Sequence, residues 1–164
     1  MIIGIRGILE EIGIGWLKVG VMGISLQVSV PITTSTGLAS IGEEVELLTH
    51  LQIRDEEMIL YGFSSDQELK LFRMLIQVSG VGPKMALGLL SAREAQALAT
   101  DIAMGDIDAL RALPGLGAKS AGRIVVELKN KMVQEIEGMP VSSSKDEREV
   151  IAALIALGYS LAEV

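Results

Sequence analysis

The 164 residues contain no cysteine, which excludes both a disulfide framework and a thiolate zinc site. A thiol-free chain fits a cytoplasmic location. There is one histidine, His50, with no second imidazole to join it, so it reads as a structural or surface residue without a metal role. Aromatic residues make up only 3% of the chain. The first third offers Trp16, Tyr61 and Phe63, too few for the stacked platform on which unselective single-strand binders lay successive bases, and Trp16 is expected to serve packing. No apolar run approaches the roughly 20 residues of a membrane span. The first residues lack the charged-then-apolar pattern of a secretory leader. Cations are the minority, 14 Lys and Arg against 21 Asp and Glu, and a net charge of −7 superficially opposes a nucleic-acid partner.

The deficit is unevenly spread. Residues 1–62 carry a net −5 and residues 139–164 a net −2, whereas residues 63–138 balance nine cations against nine anions. Any phosphate contact therefore belongs to the middle of the chain, and binding should be local and strongly salt-dependent.

That middle part contains a duplication. Ser79-Gly80-Val81-Gly82-Pro83-Lys84-Met85-Ala86 and Pro114-Gly115-Leu116-Gly117-Ala118-Lys119-Ser120-Ala121 share a Gly-x-Gly, a Lys two residues after the second Gly and an Ala two further on. The match extends outwards at a constant offset of 35 residues, Leu75 and Val78 answering to Leu110 and Leu113, and Leu89 and Leu90 to Ile124 and Val125. Each copy reads as a helix, a tight glycine turn and a second helix starting at Pro83 or Ala118. Free amides at such a start, backed by the helix dipole, attract an anion, and Lys84 and Lys119 add a cation to each. A lone Gly-x-Gly is more often just a turn between helices. Two in register, each with its Lys, point to a pair of phosphate sites.

In chain order, residues 1–63 read as β. Ile24, Leu26, Val28 and Val30 alternate with polar residues up to Pro31, and Val45, Leu47, Thr49, Leu51 and Ile53 form a second alternating series. Met1–Leu9, Trp16–Val21 and Met58–Phe63 supply about three more strands, which together suggest a small barrel of the OB type. Arg54-Asp55-Glu56-Glu57 falls on a turn between strands, and composition alone makes it a solvated loop. Ser65-x-x-Glu68 is a capping box opening a helix, Ser91-x-x-Glu94 is read as a second one, and Asp106 as the cap of a short helix. The last helix of this part carries Ile124, Leu128 and Met132 on one stripe, with Arg123, Lys129 and Lys131 as further candidate phosphate contacts. Residues 139–146 read as a flexible linker. Glu147–Leu157 reads as an apolar helix followed by Gly158-Tyr159-Ser160; by itself it cannot bury a core, so it either docks elsewhere or begins a third domain.

These features together resemble the RuvA family, the Holliday-junction-binding subunits of the bacterial branch-migration complex. The motifs that carry the resemblance are the Met-Ile-x-Gly-x-x-Gly start, Leu60-Tyr61-Gly62-Phe63, Val81-Gly82-Pro83-Lys84-Met85-Ala86-Leu87, Leu113-Pro114-Gly115-Leu116-Gly117-x-Lys119, Val126-Glu127-Leu128-Lys129 and Ala156-Leu157-Gly158-Tyr159-Ser160. Hairpins of this kind occur in many DNA-repair proteins, but their order between a barrel and a Leu-Gly-Tyr-Ser tail is far more specific. The resemblance implies a multidomain α+β fold: an OB barrel over 1–63, a tandem helix-hairpin-helix domain over 64–138, a linker over 139–146, and the start of a small helical domain over 147–164. It implies sequence-independent binding of four-way junction DNA, with phosphate contacts at Gly80, Gly82, Lys84, Gly115, Gly117, Lys119 and Arg123. It turns the acidic loop into a pin, Asp55 and Glu56, at the junction centre, where repulsion opposes unproductive placements of DNA. Self-association into a homotetramer, or two tetramers face to face on DNA, is implied. So are recruitment of the hexameric ATPase motor RuvB through a third-domain surface that includes Leu157, Gly158 and Tyr159, and the junction resolvase RuvC as a further partner.

The implied protein needs no cofactor, metal or catalytic residue, and no Gly-x-x-x-x-Gly-Lys-[Ser/Thr] occurs in the sequence. At position 118 an Ala stands where relatives often carry a second cation, which predicts a weaker grip at the second hairpin. Ser25-Leu26 replaces a common Gly-Tyr as a packing change. Two rival readings remain from the residues alone. A nuclease or glycosylase would use Asp55, Glu56 and Glu57, a nuclease through a divalent metal, and so would cleave DNA. An adaptor using the hairpins only for packing would show no DNA affinity at low salt.

Overall fold

In the barrel strands alternation decides which side chains face inwards, and the hydrogen-bond ladder follows that choice. The computed structural model describes residues 2–38, 40–54 and 57–138. Five strands, β1 (Gly4–Gly13), β2 (Trp16–Val21), β3 (Ile24–Ser29), β4 (Glu44–Arg54) and β5 (Glu57–Phe63), close into a barrel in the order β1-β2-β3-β5-β4. All pairings are antiparallel except β3 with β5, where Val28 and Ser29 lie parallel to Leu60 and Tyr61. The interior is filled by Ile5, Leu9, Leu17, Val19, Val28, Val30, Val45, Leu47 and Leu60. At Gly62 a β-carbon would come within 2.6 Å of a Val28 methyl and 3.2 Å of a Leu47 methyl, so only glycine leaves the barrel room to close there. Trp16 pairs with Gly13 and its indole fills the space a side chain at 13 would need, which makes it a packing residue.

The two alternating series end differently from expectation. Val28 and Val30, Val45 and Leu47 are buried, but Ile24 and Ile53 are 64% and 67% exposed. For Ile53 the cause is length: β4 and β5 run on past the barrel as a two-stranded ribbon, where Ile53 pairs with Met58, itself exposed. A short helix, α1 (Ile32–Gly37), absent from the sequence reading, follows β3. Its residues are Ile-Thr-Thr-Ser-Thr-Gly, poor helix formers, and Ser35 and Thr36 turn their hydroxyls back on the Ile32 carbonyl at 2.9 and 3.0 Å.

The remainder is helical: α2 (Asp66–Leu75), α3 (Pro83–Ala92), α4 (Ala95–Met104), α5 (Ile107–Arg111) and α6 (Ala118–Gly138). Ser65 caps α2 by accepting from the Glu68 amide at 3.2 Å, while the Glu68 carboxylate accepts from the Ser64 amide at 2.9 Å. Asp106 caps α5 through the Ala109 amide at 2.9 Å. Ser91 does not open a helix. It sits in the last turn of α3, donates to the Leu87 carbonyl at 2.7 Å and accepts from the Ile32 amide at 2.9 Å, and α4 starts at Ala95 instead.

Ser91 thus ties the barrel side to the helices, and an aromatic cluster does so on a larger scale. Tyr61 and Phe63 point out of β5, opposite to Leu60, and Phe72 of α2 meets them at ring separations of 5.1 and 4.8 Å, with His50 at 5.7 Å. The helical core continues from there through Leu75, Leu89, Leu98, Ile102, Leu110, Ile124, Leu128 and Met132, all buried. Residues up to Val133 form one compact unit. The expected linker and third domain, including Leu157, Gly158 and Tyr159, lie outside the described residues.

Candidate nucleic-acid interface

The duplication in the sequence is a duplication in hydrogen bonds. Val78 N donates to Leu75 O at 3.1 Å and Val81 N to Val78 O at 3.0 Å. The second copy repeats this, Leu113 N to Leu110 O at 3.1 Å and Leu116 N to Leu113 O at 3.3 Å. Both copies turn at a glycine with positive φ, +86° at Gly80 and +79° at Gly115, where an L side chain would be strained. Val78, Val81, Leu113 and Leu116 are buried beneath the turns, and Ala86 and Ala121 are buried where each second helix packs.

The second glycine of each pair has another reason. Gly82 adopts an ordinary extended backbone, φ −88° and ψ 168°, and a β-carbon at Gly82 or Gly117 would meet nothing within 4 Å. Neither conformation nor crowding within the described residues asks for glycine at 82; an outside group approaching the backbone would. The first helical bonds are Ala86 N to Gly82 O and Ala121 N to Gly117 O, both 2.9 Å. The amides of Lys84 and Met85, and of Ala118, Lys119 and Ser120, precede them and have no acceptor within the helix. Lys84 and Lys119 are exposed, and neither forms an ion pair with a described residue. Each hairpin thus offers backbone donors, a helix dipole and one cation to a single anion.

Arg123 joins the two copies. From the second turn of α6 its Nη1 reaches the Ser79 carbonyl at 3.3 Å and the Ser79 hydroxyl at 3.5 Å, in the turn of the first hairpin. It therefore braces one hairpin from the other while remaining exposed beside both. Lys129 takes a different place. Its amine lies over Gly105, the left-handed C-cap of α4, where a cation favours the negative helix end.

The first hairpin also faces the barrel ribbon. Pro83 and Lys84 form one wall of an open cleft of about 830 Å³ whose other wall is Gln52, Arg54, Glu57, Ile59 and Tyr61. Arg54 and Glu57 pair at the last described step of the ribbon; Asp55 and Glu56 between them lie outside the described residues. Desolvation raises the Tyr61 phenol above its ordinary value of 10.0. Desolvation, with Arg73 adding repulsion, holds His50 below 6.5. Among the described residues no group of three or more His, Cys, Asp or Glu is placed to hold a metal ion, and no helix is long and apolar enough to cross a membrane. Of the lining residues, Gln52 and Ile59 were not singled out in the sequence, and that the ribbon and the start of α3 share one cleft was not legible there, because only strand pairing and the approach of α3 bring them together; the one available signal was the alternation of Gln52 with Arg54 and of Glu57 with Ile59 and Tyr61.

Comparison with known proteins agrees with this architecture. Residues 1–62 match the family model described as RuvA N terminal domain, and residues 72–130 match the one described as SAM-like helix-hairpin-helix tandem. Among similar proteins, each named Holliday junction branch migration complex subunit RuvA, that of Chloroflexus aurantiacus is 44% identical over 165 residues, covering 99% of this chain and 85% of its own. That of Thermoanaerobacter sp. (strain X514) is 41% identical over 165 residues, with 99% and 86% covered. That of Dehalococcoides mccartyi (strain CBDB1) is 38% identical over 164 residues, with 99% and 84% covered. With a closed OB barrel followed by two hairpins in register, and such relatives along nearly its whole length, the chain belongs to the RuvA family.

Proposed function

We propose that this chain is a non-catalytic scaffold that binds four-way junction DNA by shape, holds it open, and serves branch migration in homologous recombination and DNA repair. The observation that carries the reading is the pair of hairpins with identical hydrogen-bond register, each ending in an open glycine and a Lys with no ion-pair partner among the described residues. Gly80, Gly82 and Lys84 in one, and Gly115, Gly117 and Lys119 in the other, with Arg123 between them, take backbone phosphates of the duplex arms. Such contacts position DNA and carry little sequence information. Junction selectivity comes from repetition: a homotetramer presents hairpin pairs to four arms, and a second tetramer can close over the other face. Asp55 and Glu56 form the pin at the centre. Hydrolysis of ATP belongs to the partner motor RuvB, docked through Leu157, Gly158 and Tyr159, and the resolvase RuvC is a further partner; the setting is cytoplasmic.

The test is a gel-shift titration at two salt concentrations, without ATP or metal, comparing a four-way junction with linear duplex of the same sequence. A strong, salt-sensitive preference for the junction is expected. Equal affinity for both would reduce the chain to a general hairpin DNA binder, and no binding to either would refute the reading.

A further inference from the structure

The two hairpins are alike in themselves and unlike in their surroundings. The N-terminus of α3 opens on the cleft shared with the β4–β5 ribbon. Within that cleft two cations with no described ion-pair partner, Arg54 and Lys84, stand on opposite walls, with Glu57 as the only carboxylate among the described lining residues. Ile59 and Tyr61 on one wall and Pro83 on the other supply its apolar lining. Gln52 adds an amide that can donate and accept. Tyr61 is 7% exposed, its ring packed against Phe72, and its hydroxyl makes no hydrogen bond to a described residue and so is free to meet a ligand. Anchoring cations, an apolar wall and a few groups able to pair with any base edge are what an unstacked nucleotide requires, and a double helix could offer none to such a recess.

Resting on the junction-binding reading above, we infer that this cleft receives one unstacked nucleotide of a strand crossing between arms. Its phosphate lies between Arg54 and Lys84, its base lies against Ile59 and Pro83, and Gln52 and Tyr61 meet the base edge. The volume of about 830 Å³ exceeds that of a single nucleotide and leaves a route for the strand in and out, as a crossover that moves along DNA demands. Because an amide and a hydroxyl serve every base, the site is indifferent to sequence. The first hairpin then grips the strand that leaves the helix, and the second grips only duplex.

The experiment uses the full chain and a four-way junction carrying 2-aminopurine either at the crossover or within an arm. On saturation with wild-type protein, crossover emission is expected to change and arm emission to stay constant. In Arg54→Gln and Gln52→Ala the crossover change should be lost at saturation, and Arg54→Gln should lower the preference for junction over duplex about tenfold, the scale of one base contact. Both positions are at least partly exposed, and an unchanged melting temperature will show that the fold is retained. If wild type does not prefer the junction, the function proposed above fails. If it does, and the crossover signal survives in both variants, the cleft is not the nucleotide site. A crossover signal that never changes on binding overturns the inference equally.

Discussion

The four hairpin glycines divide into two kinds, and alanine at each should separate folding from binding. At Gly80 and Gly115 the backbone sits at φ +86° and +79°. An L residue there costs about 1–2 kcal/mol. Space is not the difficulty, since the nearest atom to a β-carbon at 80 is Arg123 Nη1 at 3.6 Å, and at 115 nothing lies within 4 Å. For a chain of this size each kcal/mol lowers Tm by about 2–4 °C, so Gly80→Ala and Gly115→Ala should each lose about 2–8 °C. At Gly82 the backbone is extended and the β-carbon meets empty space, leaving only the poorer capping by Ala, about 0.5–1 kcal/mol. That empty space is where a phosphate oxygen must come to reach the amides. A methyl there should remove charge-assisted hydrogen bonds worth about 1.5–3 kcal/mol, a fall in affinity of about 10–100-fold. Thermal unfolding and anisotropy titration of labelled duplex, done on all four variants, should therefore rank them in opposite orders. Gly82→Ala and Gly117→Ala that bind like wild type would refute the anion-site reading and leave these glycines as mere helix starts.

Charge reversal in Lys119→Glu should weaken binding to all sequences alike and flatten the dependence of log affinity on log salt by about one phosphate contact, read from titrations across a salt series. His50 titrates below 6.5 in the folded chain, so the unfolded chain holds more protons as pH falls. Stability contributed by neutral His50 should be complete above about 6.5 and be lost as pH drops through the lower folded value; denaturant melts of His50→Gln should lack that component. Phe72→Ala removes the ring that meets Tyr61, Phe63 and His50, and should cost about 3–5 kcal/mol in urea unfolding. A loss under 1 kcal/mol would mean the helices do not depend on the barrel for that packing.

What could be read from sequence was whatever the chain decides locally. The Ser65–Glu68 box, the Asp106 cap and both glycine turns depend on residues three to five apart, and all stand in the structure. Ser91 shows the limit of the same rule. Its Ser-x-x-Glu spacing imitates a cap, but α3, once started at Pro83, carries through it, and the hydroxyl is used by Ile32, 59 residues earlier. The helix α1 left no periodic trace because it is held by hydroxyls and by that distant contact rather than by an apolar stripe. Ile53 belongs to a correct alternating series and is still exposed, because no pattern says where a strand outruns its barrel. The bond of Arg123 to Ser79 spans 44 residues, and no spacing rule relates them.

With the barrel at −5 and the helical part neutral, the chain as a whole does not attract DNA, so attraction must arise at points. The two points are not equal. At the second hairpin Ala118 stands where the first has Pro83, and although it adds no cation it supplies an N–H that Pro83 cannot give. The first hairpin has one donor fewer but gains Arg54 across the cleft and Arg123 at its turn. On the function proposed above, the pair, amide-rich at one site and cation-rich at the other, would hold phosphates in two different settings while remaining the same motif in backbone. Internal duplication supplies the common geometry, and the barrel ribbon, reaching only one copy, supplies the difference.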